Sequence, residues 1–563
     1  MQPTSRKFGS WKLWAAAVLS AGLLELPFPL AGPLPLWRTV FAWFGLVPLL
    51  WAILSPTCTE GPSPLRRGFL LGYLSGVLWY MGNCYWVRDT MLHYGDMPPM
   101  APTLLLVGYS LVLGTYCGLF GWGLVLVRRA TGSTRLALVF APFLWAALEL
   151  AAARITSVPW DQLGYSQVDN TLVNQLAPWT GVYGISFVLV FVNALLTGGL
   201  TLESRPHIGH RDRTILRAIG VLLMMAGVAG VSIPPPQPAP TATAVLIQPN
   251  LDVASDNLWL GRGEWEQHIA EFQRLAGEQC KSYIAGIPQT GAPIGEIVCP
   301  SYPTHPDLVA WPESPAPFVE QNARFEQAMT SIARQMQAPL IVGNLGVDVS
   351  FEGGVHYYNS ARIEGADGAR VGRYDKIHLV PFGEYIPFQN LLTFAHKLTG
   401  RVSAFSRGDE PKVFRLPTAN NGAHRYGVFI CYESVFADEV RQFAQLGAEA
   451  LVNISDDGWY GDTSAPWQHL NMARMRAIEN RRWILRDTNN GITAVIDPYG
   501  RVRQSIPRHQ TDALPAQFGF RSDVTFYTTH GDVFGWLCVL LSLAIVVWAG
   551  RKLLRNWVAT PSA

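Results

Sequence analysis

The sequence predicts a polytopic α-helical membrane domain of eight transmembrane helices joined to an extracytoplasmic, layered α/β domain. Three observations predict it. Hydrophobic residues make up 49% of the 563 and charged residues only 15%, with 20 tryptophans, a balance that points to a membrane protein. Apolar stretches of spanning length crowd the region before residue 235 and recur once near the C-terminus. Between them the composition turns globular, and strand-like runs alternate with helix-like segments.

Arg6, Lys7 and Lys12 precede the first apolar segment, and a second follows almost at once. The first is therefore read as a membrane helix rather than a signal peptide. Crossing the hydrocarbon takes about 20 apolar residues. Seven segments before residue 235 approach that length: 11–26, 36–54, 69–87, 103–127, 136–153, 182–200 and 215–231. An eighth covers 533–549.

Basic residues set the orientation. Arg6 and Lys7 lie before the first helix, Arg66 and Arg67 after the second, and Arg128, Arg129 and Arg135 after the fourth. Arg205, Arg211, Arg213 and Arg217 follow the sixth, and Arg551, Lys552 and Arg555 follow the eighth. The alternate loops hold only Arg88 and Arg154 near their ends. Both termini are thus expected in the cytoplasm and the loop between helices seven and eight on the other side. The net charge of +2 with no basic stripe argues against nucleic acid. Seven scattered cysteines without a CxxC pair or His/Cys spacing predict no metal and no other cofactor.

That last loop is a whole domain. Pro234, Pro235, Pro236 and Pro238 form a stiff linker out of the membrane. Beyond it, 244–247, 308–311, 340–342, 355–363, 426–430, 450–454 and 493–496 read as strands. The segments 265–275, 322–336, 435–446 and 468–482 read as helices. The expected division is 1–235 for the first seven membrane helices, 241–520 for the α/β domain, and 531–563 for the eighth helix and tail.

Three residues in that domain can carry chemistry. The apolar run 426–430 stops at Cys431, just before a helix-like segment. A thiol at such a corner is offered to a cleft, and the amides of the new helix can lower its pKa. The alternative is a buried, inert cysteine. Glu313 follows the run 308–311, and Lys376 precedes the stretch Ile377 to Tyr385. Acyl transfer through a thiol needs a nucleophile, a base and a stabiliser of the oxyanion. Cys431 can be the first. Glu313 can be the second if its apolar setting (Val309, Trp311, Pro312, Pro315) raises its pKa. Lys376 can be the third, with the Tyr432 backbone N–H as a second donor. Taken singly, Glu313, Lys376 and Glu384 could each be an ordinary strand-end or turn residue. The ordered set in one α/β domain points to a site.

The motifs WPES (311–314), YDKIHLVPFGEYIP (374–387), ICYES (430–434), NISDDGWYGDTSAPWQH (453–469) and TNNGITAVIDPYGRV (488–502) resemble the nitrilase, or carbon–nitrogen hydrolase, superfamily. That resemblance implies an αββα sandwich and a Glu313–Lys376–Cys431 triad of base, oxyanion stabiliser and nucleophile. Set among eight membrane helices, the chain is similar to the bacterial apolipoprotein N-acyltransferase family over nearly its whole length. The family resemblance implies an inner-membrane enzyme with its catalytic domain in the periplasm. The acyl donor would be a phospholipid, typically phosphatidylethanolamine. The acceptor would be the free α-amino group of an S-diacylglyceryl-cysteine on an apolipoprotein. It also implies supporting roles for Glu384, Tyr432 and Glu433, and substrate-handling roles for Trp259 and Trp459, whose plain alternative is core packing.

Physical reasoning adds a membrane-facing lid. Phe382, Tyr385, Ile386, Pro387, Phe388, Leu391, Leu392 and Phe394 form an apolar stretch directly after Lys376, fit to dip into the acyl boundary beside a membrane. The piece 280–303 is longer than the family leads one to expect and reads as a surface loop. Its Cys280 and Cys299 could pair in an oxidising compartment, while Cys58 and Cys538 should stay reduced. Nothing demands an oligomer, so a monomer is expected.

Other classes remain. A membrane-tethered amidase would use the same triad with water as acceptor, but one helix would suffice as a tether. A transporter would need more buried charge than Glu25, Glu149 and the end-lying Arg38. The orientation is testable: reporter fusions at Ser133 and His207 should report cytoplasm and a fusion at Gln237 the opposite side. A cytoplasmic signal at Gln237 would overturn it.

Overall fold

The computed structural model describes residues 10–94, 98, 100–201, 210–253, 264–277, 305–313, 318–349, 354–381, 383–385, 405–418 and 422–558. All eight predicted membrane segments are helical. They are α1 (Trp11–Glu25), α2 (Leu36–Leu54, opening on a 3-10 turn), α3 (Pro64–Asn83), α4 (Met100–Thr131), α5 (Thr134–Ile155), α6 (Val182–Thr201), α7 (His210–Ala229) and, at the end of the chain, Val533–Val558. Among the described residues, six helices are long and apolar enough to cross a membrane. The two that fall short are α1, with only 15 residues, and α3, whose apolar run is diluted by Gly, Ser, Asn and Arg.

The glycines of α3 explain its composition. Without a hydrophobic drive between helices in lipid, close backbone approach is what packs them. Gly68, Gly72 and Gly76 recur every fourth residue along α3 and meet α4. A Cβ on Gly72 would lie 2.1 Å from the carbonyl oxygen of Cys117, and one on Gly121 would lie 2.2 Å from that of Gly68.

The α/β unit holds two six-stranded sheets. The first comprises β1 (Ala242–Gln248), β2 (Leu308–Ala310), β3 (Leu340–Val349), β4 (Val355–Glu364), β5 (Arg370–Asp375) and β12 (Asp512–Phe518), ordered β12-β1-β2-β3-β4-β5. The second comprises β6 (Val413–Thr418), β7 (Gly422–Ile430), β8 (Ala450–Ser455), β9 (Ile484–Thr488), β10 (Thr493–Ile496) and β11 (Val502–Ile506), ordered β11-β10-β9-β8-β7-β6. Each sheet has a parallel centre, β1-β2-β3 and β7-β8-β9, with antiparallel strands outside. Parallel strands are covered on both faces, which is why their runs are apolar throughout. Along β1, Ala244 and Leu246 join the core that also holds Val428 and Ile430 of β7. Val245 and Ile247 turn the other way, to Phe272 of α8 (Glu264–Gly277) and Met329 of α9 (Ala323–Met336). On the second sheet lie α10 (Ala437–Gln445) and α11 (Ala465–Asn480).

Every residue of α11 except Trp467 is buried, the charged ones included. One side faces the second sheet and the other faces the end of α3, the segment between α5 and α6, and the start of α6. There Gln468 donates to the Asn83 side chain at 3.0 Å, Arg476 to the Tyr165 hydroxyl at 3.0 Å, and Val182 N–H to Glu479 at 3.2 Å. Arg474 pairs with Asp169. These bonds seat the α/β unit on the helices. The last helix, α12 (Val533–Val558), then returns to pack on α5 and α4.

The α3–α4 contact is testable. Gly72→Ala should lower the melting temperature of the purified protein in detergent, by the equivalent of about 1–3 kcal/mol for overpacking. Gly108→Ala on α4, with nothing within 4 Å of its Cβ position, should be neutral or slightly stabilising. Equal shifts for the two would refute the close-packing account.

Candidate functional site

Cys431 follows the last residue of β7 and adopts φ +48°, an uncommon conformation for a residue with a side chain. The expected helix does not begin there. A 3-10 turn, Cys431–Val435, comes first, and α10 starts only at Ala437. The expectation that helix amides would lower the thiol pKa is therefore corrected. Cys431 is 5% exposed, and burial, reinforced by Glu313, holds its thiol well above the ordinary value although Lys376 works the other way. The resting thiol is neutral, so a base must take its proton before it can attack.

Lys376 follows β5, which is not the apolar strand expected but a largely exposed edge. Backbone pairing with β4 continues past the strand end: Lys376 N–H donates to Asn359 O at 2.8 Å. Its side chain then turns inward and is buried. Nζ donates to Glu313 Oε1 at 3.0 Å and to Glu384 Oε1 at 2.9 Å. Burial opposes the charge of Lys376, but Glu313 and Glu384 outweigh it and hold the ammonium well above its ordinary pKa.

Glu313 stands three residues beyond β2. Its carboxylate is met by donors rather than by the apolar neighbours the sequence suggested: Lys376, the Asn359 side-chain amide at 2.7 Å, and the Asp456 backbone N–H at 2.9 Å. Glu384 completes the set, accepting from Asn359 at 2.7 Å and from Val380 N–H at 2.7 Å. The candidate site is thus a buried ammonium between two carboxylates, with a thiol that feels both Lys376 and Glu313.

Glu433 ties the thiol's turn to the lysine's segment. Oε2 accepts from Ile430 N–H at 2.6 Å, while Oε1 accepts from Ile377 N–H at 2.6 Å and the Tyr374 hydroxyl at 2.7 Å. Burial pushes its carboxyl up to about 7 against those donors. One side chain therefore sets the spacing between two candidate reacting groups.

Tyr432 points toward the membrane helices. Its ring lies 6.4 Å from that of Trp160, nearly parallel at 22°, and its hydroxyl donates to Ser157 O at 3.4 Å. Trp459 is not core: it is 46% exposed, and its ring meets Tyr94 edge-on at 5.6 Å, at the end of the short helix Trp86–Tyr94. Tyr385, 37% exposed, lies one residue after Glu384. Trp259, Phe382 and Phe388 lie outside the described residues, as do Cys280, Cys299 and the rest of the 280–303 piece. Cys58 and Cys538 are buried, free thiols.

Three participants went unread in the sequence. Asn359 bridges the two glutamates but sits in a strand with no motif around it. Asp456 contributes through its backbone. His469 lies inside a quoted motif, yet its place beneath Cys431 follows only from the packing of α11. A histidine at the end of a motif, just inside a helix, was the available signal.

Two family models match the chain. One, described as the apolipoprotein N-acyltransferase N-terminal domain, covers residues 20–195; the other, carbon–nitrogen hydrolase, covers 243–517. An apolipoprotein N-acyltransferase of Geobacter metallireducens is 33% identical over 543 residues, 95% of each chain. One of Photobacterium profundum is 28% identical over 94% of this chain and 93% of its own. Among solved structures, Saccharomyces cerevisiae Nit3, a member of branch 10 of the nitrilase superfamily, aligns at TM-score 0.33 and 16% identity, covering 50% of this chain and 92% of that one. Since the relatedness to the Geobacter protein runs through helices and α/β unit alike, the chain belongs to the apolipoprotein N-acyltransferase family.

Proposed function

We propose that this protein moves a fatty acyl chain from a membrane phospholipid, phosphatidylethanolamine being the expected donor, to the α-amino group of the S-diacylglyceryl-cysteine of an apolipoprotein. The observation that carries the reading is the full-length relatedness to acyltransferases of that name, joined to a buried Glu313–Lys376–Glu384 cluster beside Cys431. We place the protein in the bacterial inner membrane as a monomer with eight spanning helices, its termini cytoplasmic and its 241–520 domain periplasmic. The basic-loop asymmetry supports that orientation.

The reaction has two halves. Glu313 takes the proton of the Cys431 thiol, and Sγ attacks the ester carbonyl of the phospholipid. Lys376 and the Tyr432 N–H hold the oxyanion. The ester C–O bond breaks, Glu313 returns the proton to the departing lysophospholipid oxygen, and an acyl thioester stays on Cys431. The acceptor amine then attacks the thioester carbonyl. Its proton passes to Glu313, the C–S bond breaks, the thiol is reprotonated, and the amide leaves. One cleft serves two lipids in turn, so the kinetics are ping-pong.

The setting supports transfer over hydrolysis. The cluster is buried, and a water-poor cleft spares the thioester. A small, mostly apolar pocket lined by Trp79, Tyr116, Phe120, Trp145 and Trp160 opens among α3, α4 and α5, and Trp160 stacks on Tyr432, the residue after the thiol. The exposed Trp459 and Tyr385, together with Trp259, Phe382 and Phe388, are proposed to handle substrates.

Enzyme given phospholipid alone should gain a hydroxylamine-sensitive acyl group on Cys431, detected by intact-mass and peptide mapping. Cys431→Ala should abolish label and product, and Glu313→Ala should block labelling. Lys376→Ala should slow both halves by about 10²–10³-fold, as loss of an oxyanion donor does. Triacylated product from the Cys431→Ala protein, or a label elsewhere, would sink the proposal.

A further inference from the structure

The Cys431 carbonyl and the Tyr432 N–H belong to one peptide group, so whatever grips the oxygen also aims the hydrogen. The oxygen is gripped by His469 of α11, whose Nε2 lies 3.0 Å from Cys431 O. That contact requires a proton on Nε2, since a bare lone pair would face the carbonyl. The opposite ring atom, Nδ1, lies 2.9 Å from Asp457 Oδ1 and 3.0 Å from the Arg486 guanidinium. Arg486 also donates to both oxygens of Asp457, at 2.9 and 2.7 Å, and the Ser455 hydroxyl donates to Oδ1 at 2.9 Å. His469, Asp457 and Arg486 are all fully buried. The imidazole is therefore fixed in position and tilt on one edge.

Its flat face is fixed as well. Trp160, from the segment after α5, stacks on His469 at 6.0 Å and 22° and on Tyr432 at 6.4 Å and 22°. Tyr460 closes the other direction edge-on at 5.8 Å. Residue 431 needs such an anchor, because its φ of +48° persists only where neighbours over-determine it. Accepting a hydrogen bond at the oxygen also polarises the amide and strengthens its N–H as a donor.

We propose that His469, held by Asp457 and Arg486, is a positioning residue that locks the Cys431–Tyr432 peptide and aims its N–H at the oxyanion. The inference rests on the thioester reading above and deepens it. His469 does not touch substrate and takes no proton from the thiol. It acts on the rate of acyl transfer through the peptide it holds, and the membrane-side Trp160 is part of its clamp.

Two substitutions separate this from a purely structural role. His469→Gln places an amide nitrogen near the Nε2 position and can still donate to Cys431 O. His469→Asn reaches only the Nδ1 position, keeping the Asp457 side and losing the carbonyl. Each full-length protein in detergent is given phospholipid, and acylation of Cys431 is timed by mass spectrometry. In parallel, Cys431 is alkylated with iodoacetamide, a displacement that passes through no oxyanion. The Asn protein should acylate about a hundredfold more slowly than wild type, with an unchanged phospholipid KM and an alkylation rate within threefold. The Gln protein should recover to within tenfold of wild type. Asn acylating like wild type, Gln as slow as Asn, or alkylation falling in step with acylation would each overturn the positioning role. Wild type that alkylates at Cys431 but never acylates there would instead sink the thioester reading on which the role depends.

Discussion

A buried ammonium is the constraint on which the site depends. Taking a charged lysine out of water costs several kcal/mol unless its partners are in place. Lys376 finds them in Glu313 and Glu384, which come from points 71 residues apart and would repel each other without it. Asn359 donates to both carboxylates at once, which fixes their separation. Remove Lys376 and the two carboxylates lose the charge that pairs both of them. Two carboxylates against one ammonium also leave the cluster with an excess negative charge. Burial raises the thiol's pKa, and the Glu313 carboxylate adds to that rise.

The same constraint ties the sheets to the helices. The groups around Lys376 lie on the first sheet's β4 and on the loops after β2 and β5, whereas Cys431 ends β7 of the second. Glu433 joins the two across the sandwich. Behind Cys431, α11 joins the second sheet to the helical bundle through buried polar contacts, with Gln468 reaching both Trp160 and Asn83. A buried polar interface of this kind is satisfied in few arrangements, so these contacts orient the α/β unit on the bundle as well as tethering it. A mutation in this interface is expected to act on the thiol's surroundings, because Trp160 touches both Tyr432 and His469.

Much of this was legible in the sequence, and the reasons differ by residue. Strand β1, the second half of β7 (426–430) and β8 are buried on both faces and show as mostly apolar runs. Strands β5, β6 and β11 are half exposed and carry Arg, Lys or Gln, so they left no such trace. The meeting of Glu313, Lys376 and Glu384 was readable because each stands just past a strand-like run or within a motif. Asn359 was not, since nothing local marks an asparagine whose partners come from other strands. Helix α11 was found as a helix, but its burial on all sides was hidden. Its polar residues look like a solvated face until Tyr165, Asp169 and Val182 are brought to them.

Rigidity around Cys431 fits the demands of a site that works on lipids. Acyl chains and head groups are flexible, and neither offers many polar handles near the scissile carbonyl. The precision must therefore reside in the protein before the substrate arrives. Residue 431 is held from one side by the Glu433 carboxylate on the neighbouring N–H groups and from the other by His469 on its own carbonyl. Its left-handed φ costs on the order of 1–3 kcal/mol, a strain that only such a double grip maintains. The strain is met by buried contacts already in place without substrate. Trp459 and Tyr385 are exposed, whereas the peptide between Cys431 and Tyr432 is buried and held. In the proposed reaction such a division separates fit to a disordered chain from alignment of the reacting atoms, which is what one site needs to take two different lipids in succession.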